Sequence, residues 1–249
     1  MTRLRIRFAK RGKVRWTSHR DTARMWERAF RRLSLPVAYS NGFSPRPRVS
    51  FGLALSTGYE SVAEYLDVEL TETPPGGDDP TLDLDRLTTG LSAALPEGVD
   101  VLAIAVGEDR LPSLQEEVTV CTWRLAVTPV EPDAPAPDIA GGLDRLLAAD
   151  SVVVTRTRKG REVTEDIRPA IVAIRPLGPG PDGFWLECDL AAQPRSLRPT
   201  ELVAALDADV EARAVCRVHQ WIERDGARWE PLAAPHAAPD ASHALERAS

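Results

Sequence analysis

Two successive runs of alternating strands and amphipathic helices, each in the order β-α-β-β-α-β, predict an α+β protein of two tandem ferredoxin-like (βαββαβ) units with antiparallel sheets. The length fits: 249 residues suit one large domain or two of roughly 100–120 residues each. An apolar fraction of 43% is enough for a core in both. The expected division is a basic unit over 1–107, a linker at 108–117, a second unit over 118–230 and a disordered tail at 231–249.

Each element has a local reason. Arg3-Leu4-Arg5-Ile6-Arg7-Phe8 alternates with the period of a half-buried strand, and Gly12-Lys13 reads as a turn. Thr17 or Ser18 caps a helix that runs to about Leu33 and stops before Pro36. Residues 36–48 hold three prolines and Gly42, the composition of a structured loop. Alternation restarts at Val49, Phe51, Leu53 and Leu55, and Leu66, Val68 and Leu70 make a third strand. After a Pro/Gly/Asp loop at 74–80, Leu84 to Leu95 reads as a helix and Val99 to Val106 as a fourth strand.

The second half repeats the order without clear identity to the first. Cys121 to Val127 alternates, and a Pro/Ala/Asp linker at 129–138 leads to a helix near Ile139–Ala149. Val152–Arg158 and Ile167–Ile174 flank a polar turn at Lys159-Gly160, and Phe184–Leu190 follows as another strand. A helix at about Pro199–Leu206 precedes a last strand at Val215–Ile222. From Pro231 the Ala/Pro/His/Ser tail has no period.

Charge is distributed unevenly. Residues 1–50 hold 14 of the 31 Lys and Arg but only two of the 37 acids, Asp21 and Glu27, so a segment of formal charge +12 precedes a remainder of −18. Like charges in one segment oppose compaction, and an anionic ligand is a recurring reason to keep them. The alternative is that the acidic remainder neutralises the basic head within the fold. No run of eighteen apolar residues and no signal-peptide core occurs, so the expected setting is cytoplasmic with no membrane partner. Cys121, Cys188 and Cys216 stand apart from one another and from histidines, as small core residues do, and imply no metal and no cofactor.

On the first helix, at about 100° per residue, Arg20, Arg24, Arg28 and Arg31 fall within an arc of about 80°. Trp26, Ala29, Phe30 and Leu33 take the opposite side, and Glu27 is the one acid near enough to pair with the arginines. Guanidinium suits bidentate phosphate contacts, although a solvated helix face produces the same pattern. The loop Asn41-Gly42-Phe43-Ser44-Pro45-Arg46-Pro47-Arg48 adds Arg46 and Arg48. Phe43 there is either a base-stacking platform or an anchor to the core. A second basic cluster of Arg156, Arg158, Lys159, Arg161 and Arg168 surrounds the polar turn of the second half and offers further phosphate contacts. Arg3, Arg5 and Arg7, by contrast, lie across from Tyr65, Asp67 and Glu69 on the same face of neighbouring strands of a ferredoxin-like sheet, where opposite charges pair. His19 and Asp21 at the helix entry are the candidate catalytic groups. A histidine there serves as general acid–base or as a capping and packing residue. His19-Arg20-Asp21 is not a kinase catalytic loop, since Trp26 stands at the magnesium-binding position, and no hydrolase, zincin or Walker motif is present.

Arg7-Phe8-Ala9-Lys10, Ser18-His19-Arg20-Asp21 with Arg24, Arg28-Ala29-Phe30-Arg31-Arg32, Leu35-Pro36-Val37-Ala38-Tyr39, Gly42-Phe43-Ser44-Pro45-Arg46-Pro47 and Gly58 to Glu64 occur in order over about the first 70 residues. Together they resemble the radical SAM-linked (radical SAM-associated) proteins, a bacterial family with a domain of unknown function. A weaker echo follows at Asp166-Ile167-Arg168-Pro169. The resemblance implies a companion to a separately encoded, cobalamin-type radical SAM enzyme, often found beside genes of RNA metabolism. Arg20 departs from that pattern, which has an apolar residue between His and Asp, and the chain has no C-x-x-x-C-x-x-C motif for an iron–sulfur cluster of its own. The expected function is therefore an RNA-binding accessory protein, with structured RNA (ribosomal or transfer RNA) and a radical SAM protein as partners. Two alternatives stand beside it: a metal-independent endoribonuclease using His19, by analogy with CRISPR repeat-processing enzymes of similar architecture, and a protein–protein adaptor with no RNA contact.

Overall fold

The computed structural model describes residues 2–71, 83–107, 112–131, 137–158, 160–206 and 209–232. The loop expected at 74–80, residues 108–111 of the expected linker and the tail beyond residue 232 lie outside them. The first half runs β1 (Thr2–Lys10), α1 (His19–Arg32), β2 (Val49–Phe51), β3 (Glu60–Leu70), α2 (Leu84–Ala94) and β4 (Val99–Gly107). A short helix α3 (Leu114–Glu117) precedes β5 (Val120–Pro129) and α4 (Ile139–Ala148), followed by β6 (Val153–Arg158) and β7 (Arg161–Asp166). The chain then continues through β8 (Ile171–Gly180), β9 (Gly183–Ala191), α5 (Pro199–Leu206), β10 (Val210–Arg224) and β11 (Ala227–Trp229).

The protein is α+β, with few helices and one large, mostly antiparallel sheet. Among the described residues nine strands share that sheet, in the order β4-β1-β3-β10-β5-β9-β8, with β2 on β3 and β11 on β10. The exception to antiparallel pairing is the junction of the halves, where Cys216 and Arg217 of β10 run parallel to Glu60 and Ser61 of β3.

Alternation sets which side chains enter each core. In β1, Leu4, Ile6 and Phe8 pack with Leu66, Val68 and Leu70 of β3 and with Trp26 and Phe30 of α1. The other parity carries the arginines, and they face the three residues expected on β3, with Arg3 opposite Glu69, Arg5 opposite Asp67 and Arg7 opposite Tyr65 in the antiparallel register. Arg5 makes two hydrogen bonds to Asp67, of 2.8 and 3.0 Å, and Arg3 bonds Glu69 at 3.0 Å. In the second half Trp123, Leu125, Leu143, Leu146, Leu202 and Val203 form the corresponding core.

Helix α1 starts and stops where its residues dictate. Ser18 caps it by accepting the Asp21 N–H, and the Ser18 hydroxyl donates to Asp21 Oδ2 at 2.7 Å. At the other end Ser34 adopts φ 52°, Ser34 N–H donates to Arg31 and Leu35 N–H to Phe30. These are the paired bonds of a Schellman stop, just ahead of Pro36.

Three expectations are corrected. The strand begun at Val49 ends at Phe51, and β3 starts at Glu60 rather than Leu66. Val153–Arg158 pairs not with residues 167–174 but with Arg161–Asp166, across the turn at Gly160, as a separate two-stranded sheet. The segment Arg161–Asp166 has one apolar residue, Val163, so hydrophobic alternation could not reveal it. The first two residues of the expected tail belong to the fold: Pro231 O accepts from Arg5, and Leu232 packs on Ala63, Tyr65 and Leu114.

At the junction, Arg217 is 1% exposed. Its guanidinium donates to Glu64 Oε1 through Nη2 at 2.6 Å and Nε at 3.2 Å and to Leu53 O at 2.9 Å, and lies over the Trp123 ring at 5.3 Å. Removing one member of a buried ion pair leaves an uncompensated charge and costs about 3–5 kcal/mol, whereas replacing both with apolar groups is often near neutral. Arg217→Ala is expected to lower unfolding stability by that amount, and Arg217→Met with Glu64→Leu to recover most of it, read from the urea midpoint.

Candidate nucleic-acid interface

A groove forms where α1 faces the proline-rich loop. It has a volume of about 620 Å³ and is lined by Arg20, Arg24 and Glu27 on the helix and by Arg46, Pro45 and Pro47 on the loop. The loop is held in place by backbone bonds from Ser40 N–H to Arg46 O and from Arg48 N–H to Ala38 O, both 2.8 Å. Gly42 adopts φ 131°, a conformation that side chains with a Cβ rarely take. A second lobe of about 230 Å³, lined by Glu27, Arg31 and Tyr39, shares Glu27, Pro45 and Pro47 with the first. Glu27 therefore borders both lobes.

The cations here are largely without carboxylate partners. Arg20, Arg28, Arg31 and Arg46 are exposed and none forms an ion pair among the described residues. Arg24 stands 3.6 Å from Asp21, both about half exposed, a contact worth little in water. Arg28 and Arg31 instead turn back on their own helix, donating through Nε to the Arg24 and Glu27 carbonyls at 3.2 Å each. Arg20 also sits in the first turn, where the helix dipole disfavours a cation by about 0.3–1 kcal/mol. Helix stability does not account for its presence.

The predicted site residues are not all brought together. Arg20, Arg24 and Arg46 line the first lobe, while Arg28 lies with Met25, Arg32 and Pro96 beside a separate cavity of about 470 Å³. Arg48 is paired to Glu69 at 2.9 Å, on a carboxylate that also holds Arg3. Phe43 is fully exposed, so it does not anchor the loop to the core. Asp21 is engaged in the helix cap. His19 is exposed and meets Phe51 edge-on at 5.0 Å.

The second basic cluster is mostly structural. Arg156 sits 3.3 Å from Glu165 and 3.6 Å from Glu201. Arg168 donates to the carbonyls of Leu147 and Ala149 at the end of α4 and of Ile171 at the start of β8. Asp166 accepts N–H bonds from Val152 and Arg168, which hold its carboxyl below the ordinary range. The motif Asp166-Ile167-Arg168-Pro169 thus closes the base of the β6–β7 hairpin. Arg161 is exposed; Lys159 and the Arg158 side chain lie outside the described part.

A polar island near His19 escapes a reading by motif. Lys10 and Glu64, both buried, border a cavity of about 30 Å³ with His19 and Thr22, room for about one water. Lys10 donates to Thr17 O at 3.0 Å, and burial lowers its amine pKa against the opposing charge of Glu64. Burial likewise pushes the Cys121 and Cys188 thiols up and Cys216 to about 11, so none is poised as a thiolate nucleophile. Among the described residues no three His, Cys, Asp or Glu side chains gather as metal ligands, and no helix is long and apolar enough to cross a membrane.

Residues 3–203 match the family described as an uncharacterized protein conserved in bacteria (DUF2344). No curated protein matches the chain.

Glu69 offers a pH readout of the paired arginines. Hydrogen bonds from Arg48 and Arg3 hold its carboxyl below 4.5. The stability that these bonds supply is complete above 4.5 and is lost as pH falls through the lower, folded-state value. Glu69→Gln is expected to flatten this acid limb of a thermal-unfolding profile and to leave the groove cations unchanged.

Proposed function

We propose that this chain, which belongs to the uncharacterized bacterial family DUF2344, binds structured RNA along the groove between α1 and the 41–48 loop and presents it to a separately encoded radical SAM enzyme. One contrast supports the RNA reading. The strand arginines are matched to acids, Arg3 to Glu69 and Arg5 to Asp67, with Arg7 on Glu230, while Arg20, Arg28, Arg31 and Arg46 have no carboxylate among the described residues. A fold with 37 acids had ample means to neutralise them. Exposed guanidiniums at a groove of about 620 Å³ match the electrostatic footprint of a nucleic-acid site. Fully exposed Phe43, at the tip of the same loop, is suited to stack on an unpaired base.

The strand orders support reading each half as a ferredoxin-like unit. The first half is ordered β4-β1-β3-β2 and the second β10-β5-β9-β8, each a split βαβ arrangement, with the β6–β7 hairpin as an insertion. In this reading the chain supplies the RNA-binding surface, and the partner supplies the radical chemistry together with its cluster and cobalamin.

Filter binding of labelled ribosomal and transfer RNA fragments at several salt concentrations tests the proposal. Affinity is expected to fall with a slope of about 0.7–0.9 per phosphate contact. Arg24→Glu with Arg46→Glu should weaken binding roughly a hundredfold at low salt, and Arg28→Glu, beside a different cavity, should do less. Wild-type binding by the groove variant overturns the site. Capture of the radical SAM protein after nuclease treatment, with no affinity for purified RNA, would establish the adaptor role instead.

A further inference from the structure

Glu27 is out of place in a phosphate-binding groove. It is the one acid along the arginine face beyond the capping Asp21, and two arginines lie within helical reach, at positions 24 and 31. Even so, its carboxylate forms no ion pair and no hydrogen bond among the described residues; Arg31 bonds the Glu27 backbone carbonyl instead. It is half-buried and borders both lobes opposite Pro45 and Pro47. A carboxylate repels phosphate, so its position between two cationic lobes calls for a ligand that is anionic at its ends and a hydrogen-bond donor in the middle.

We propose that the groove reads an unpaired guanine, with Glu27 accepting from its Watson–Crick edge while Arg20, Arg24 and Arg46 on one side and Arg31 on the other hold the flanking phosphates. This rests on the RNA-binding reading above. The chemistry selects the base. A carboxylate has two acceptor oxygens and no donor, and guanine alone offers two adjacent donors, N1–H and the 2-amino group. Adenine and cytosine each place a ring acceptor beside their amino donor, where it meets the carboxylate unfavourably, and uracil presents one N–H between two carbonyls. Pro45 and Pro47 supply rigid apolar walls, and Trp26, sealed from solvent, closes the groove beneath them. Along α1 the rise from Arg24 to Arg31 is about 10 Å, which separates the two cationic lobes and leaves room between them for a base.

The experiment compares one hairpin RNA carrying guanine, inosine, adenine or uracil at a single loop position, bound to the full chain and followed by fluorescence anisotropy. Guanine should bind roughly tenfold tighter than adenine, since a bidentate base contact discriminates on that scale. Inosine, which lacks the 2-amino group, should fall between them. Glu27→Gln should narrow the guanine-to-adenine ratio to within about twofold, with circular dichroism confirming the fold. Arg24→Ala should weaken all four RNAs alike and keep their ratio. Equal, salt-sensitive binding of the four by the wild type overturns the guanine assignment and leaves the RNA-binding reading intact. Absence of binding to any of them at low salt overturns both.

Discussion

The contact between Arg217 and Glu64 is the constraint on which the arrangement of the molecule depends. A guanidinium buried to 1% exposure must have its donors satisfied, and here the acceptors come from the other half of the chain: Glu64 of β3 and the carbonyl of Leu53. Trp123, from its own half, supplies the ring beneath it. Nonpolar packing tolerates sliding, but this set of directed contacts does not. It fixes the short parallel pairing of β3 with β10 and so merges what would otherwise be two sheets. It also fixes Glu64 in the wall of the cavity beside His19 and Lys10, coupling the entry of α1 to the junction.

Burial and pairing sort the arginines of the chain into two populations. Those on strands face a sheet surface where acids from β3, α3 and the segment after β11 reach them: Arg5 is held by Asp67 and Glu117, and Arg7 by Glu230. Desolvated side by side, they would repel one another, so each needs its acid. The helix arginines stand in water, where the cost of leaving a cation unpaired is small and is screened by salt. Among the described residues the acidic body therefore neutralises the basic head only in part, and its effort goes to the sheet. Glu69 illustrates the division, since it takes Arg48 out of the loop's cationic set while pairing Arg3 across the strands.

Much of this was legible from sequence because it rests on short-range periodicity. The opposition of the β1 arginines to the acids of β3 followed from alternation combined with a strand order, and the limits of α1 from a cap at Thr17 or Ser18 and a stop before Pro36. The groove was legible in its cations but not in its shape, because helix angle alone placed Arg28 with Arg24, whereas α2 and the turn after it draw Arg28 toward Pro96. The β7 strand was hidden by having a single apolar residue. Arg168 read as a surface charge because nothing in its neighbourhood shows that three carbonyls would converge on it from α4 and β8. Arg217 and Glu64 gave a faint signal, as charges inside apolar strand runs, but their partnership spans 153 residues, beyond the reach of any local pattern.

That separation has a consequence for synthesis. When the first half emerges from the ribosome, Glu64 has the charge of Lys10 to oppose its own, and the arginine that hydrogen-bonds it has not been made. At translation rates of about 5–20 residues per second the wait is on the order of ten seconds. Through that interval the outer edge of β3 near Glu60 and Ser61 lacks its β10 partner and carries a carboxylate without its guanidinium, a charge of the kind that keeps open strand edges from sticking to one another. The same acid that later locks the halves together can thus guard the nascent edge until its arginine arrives.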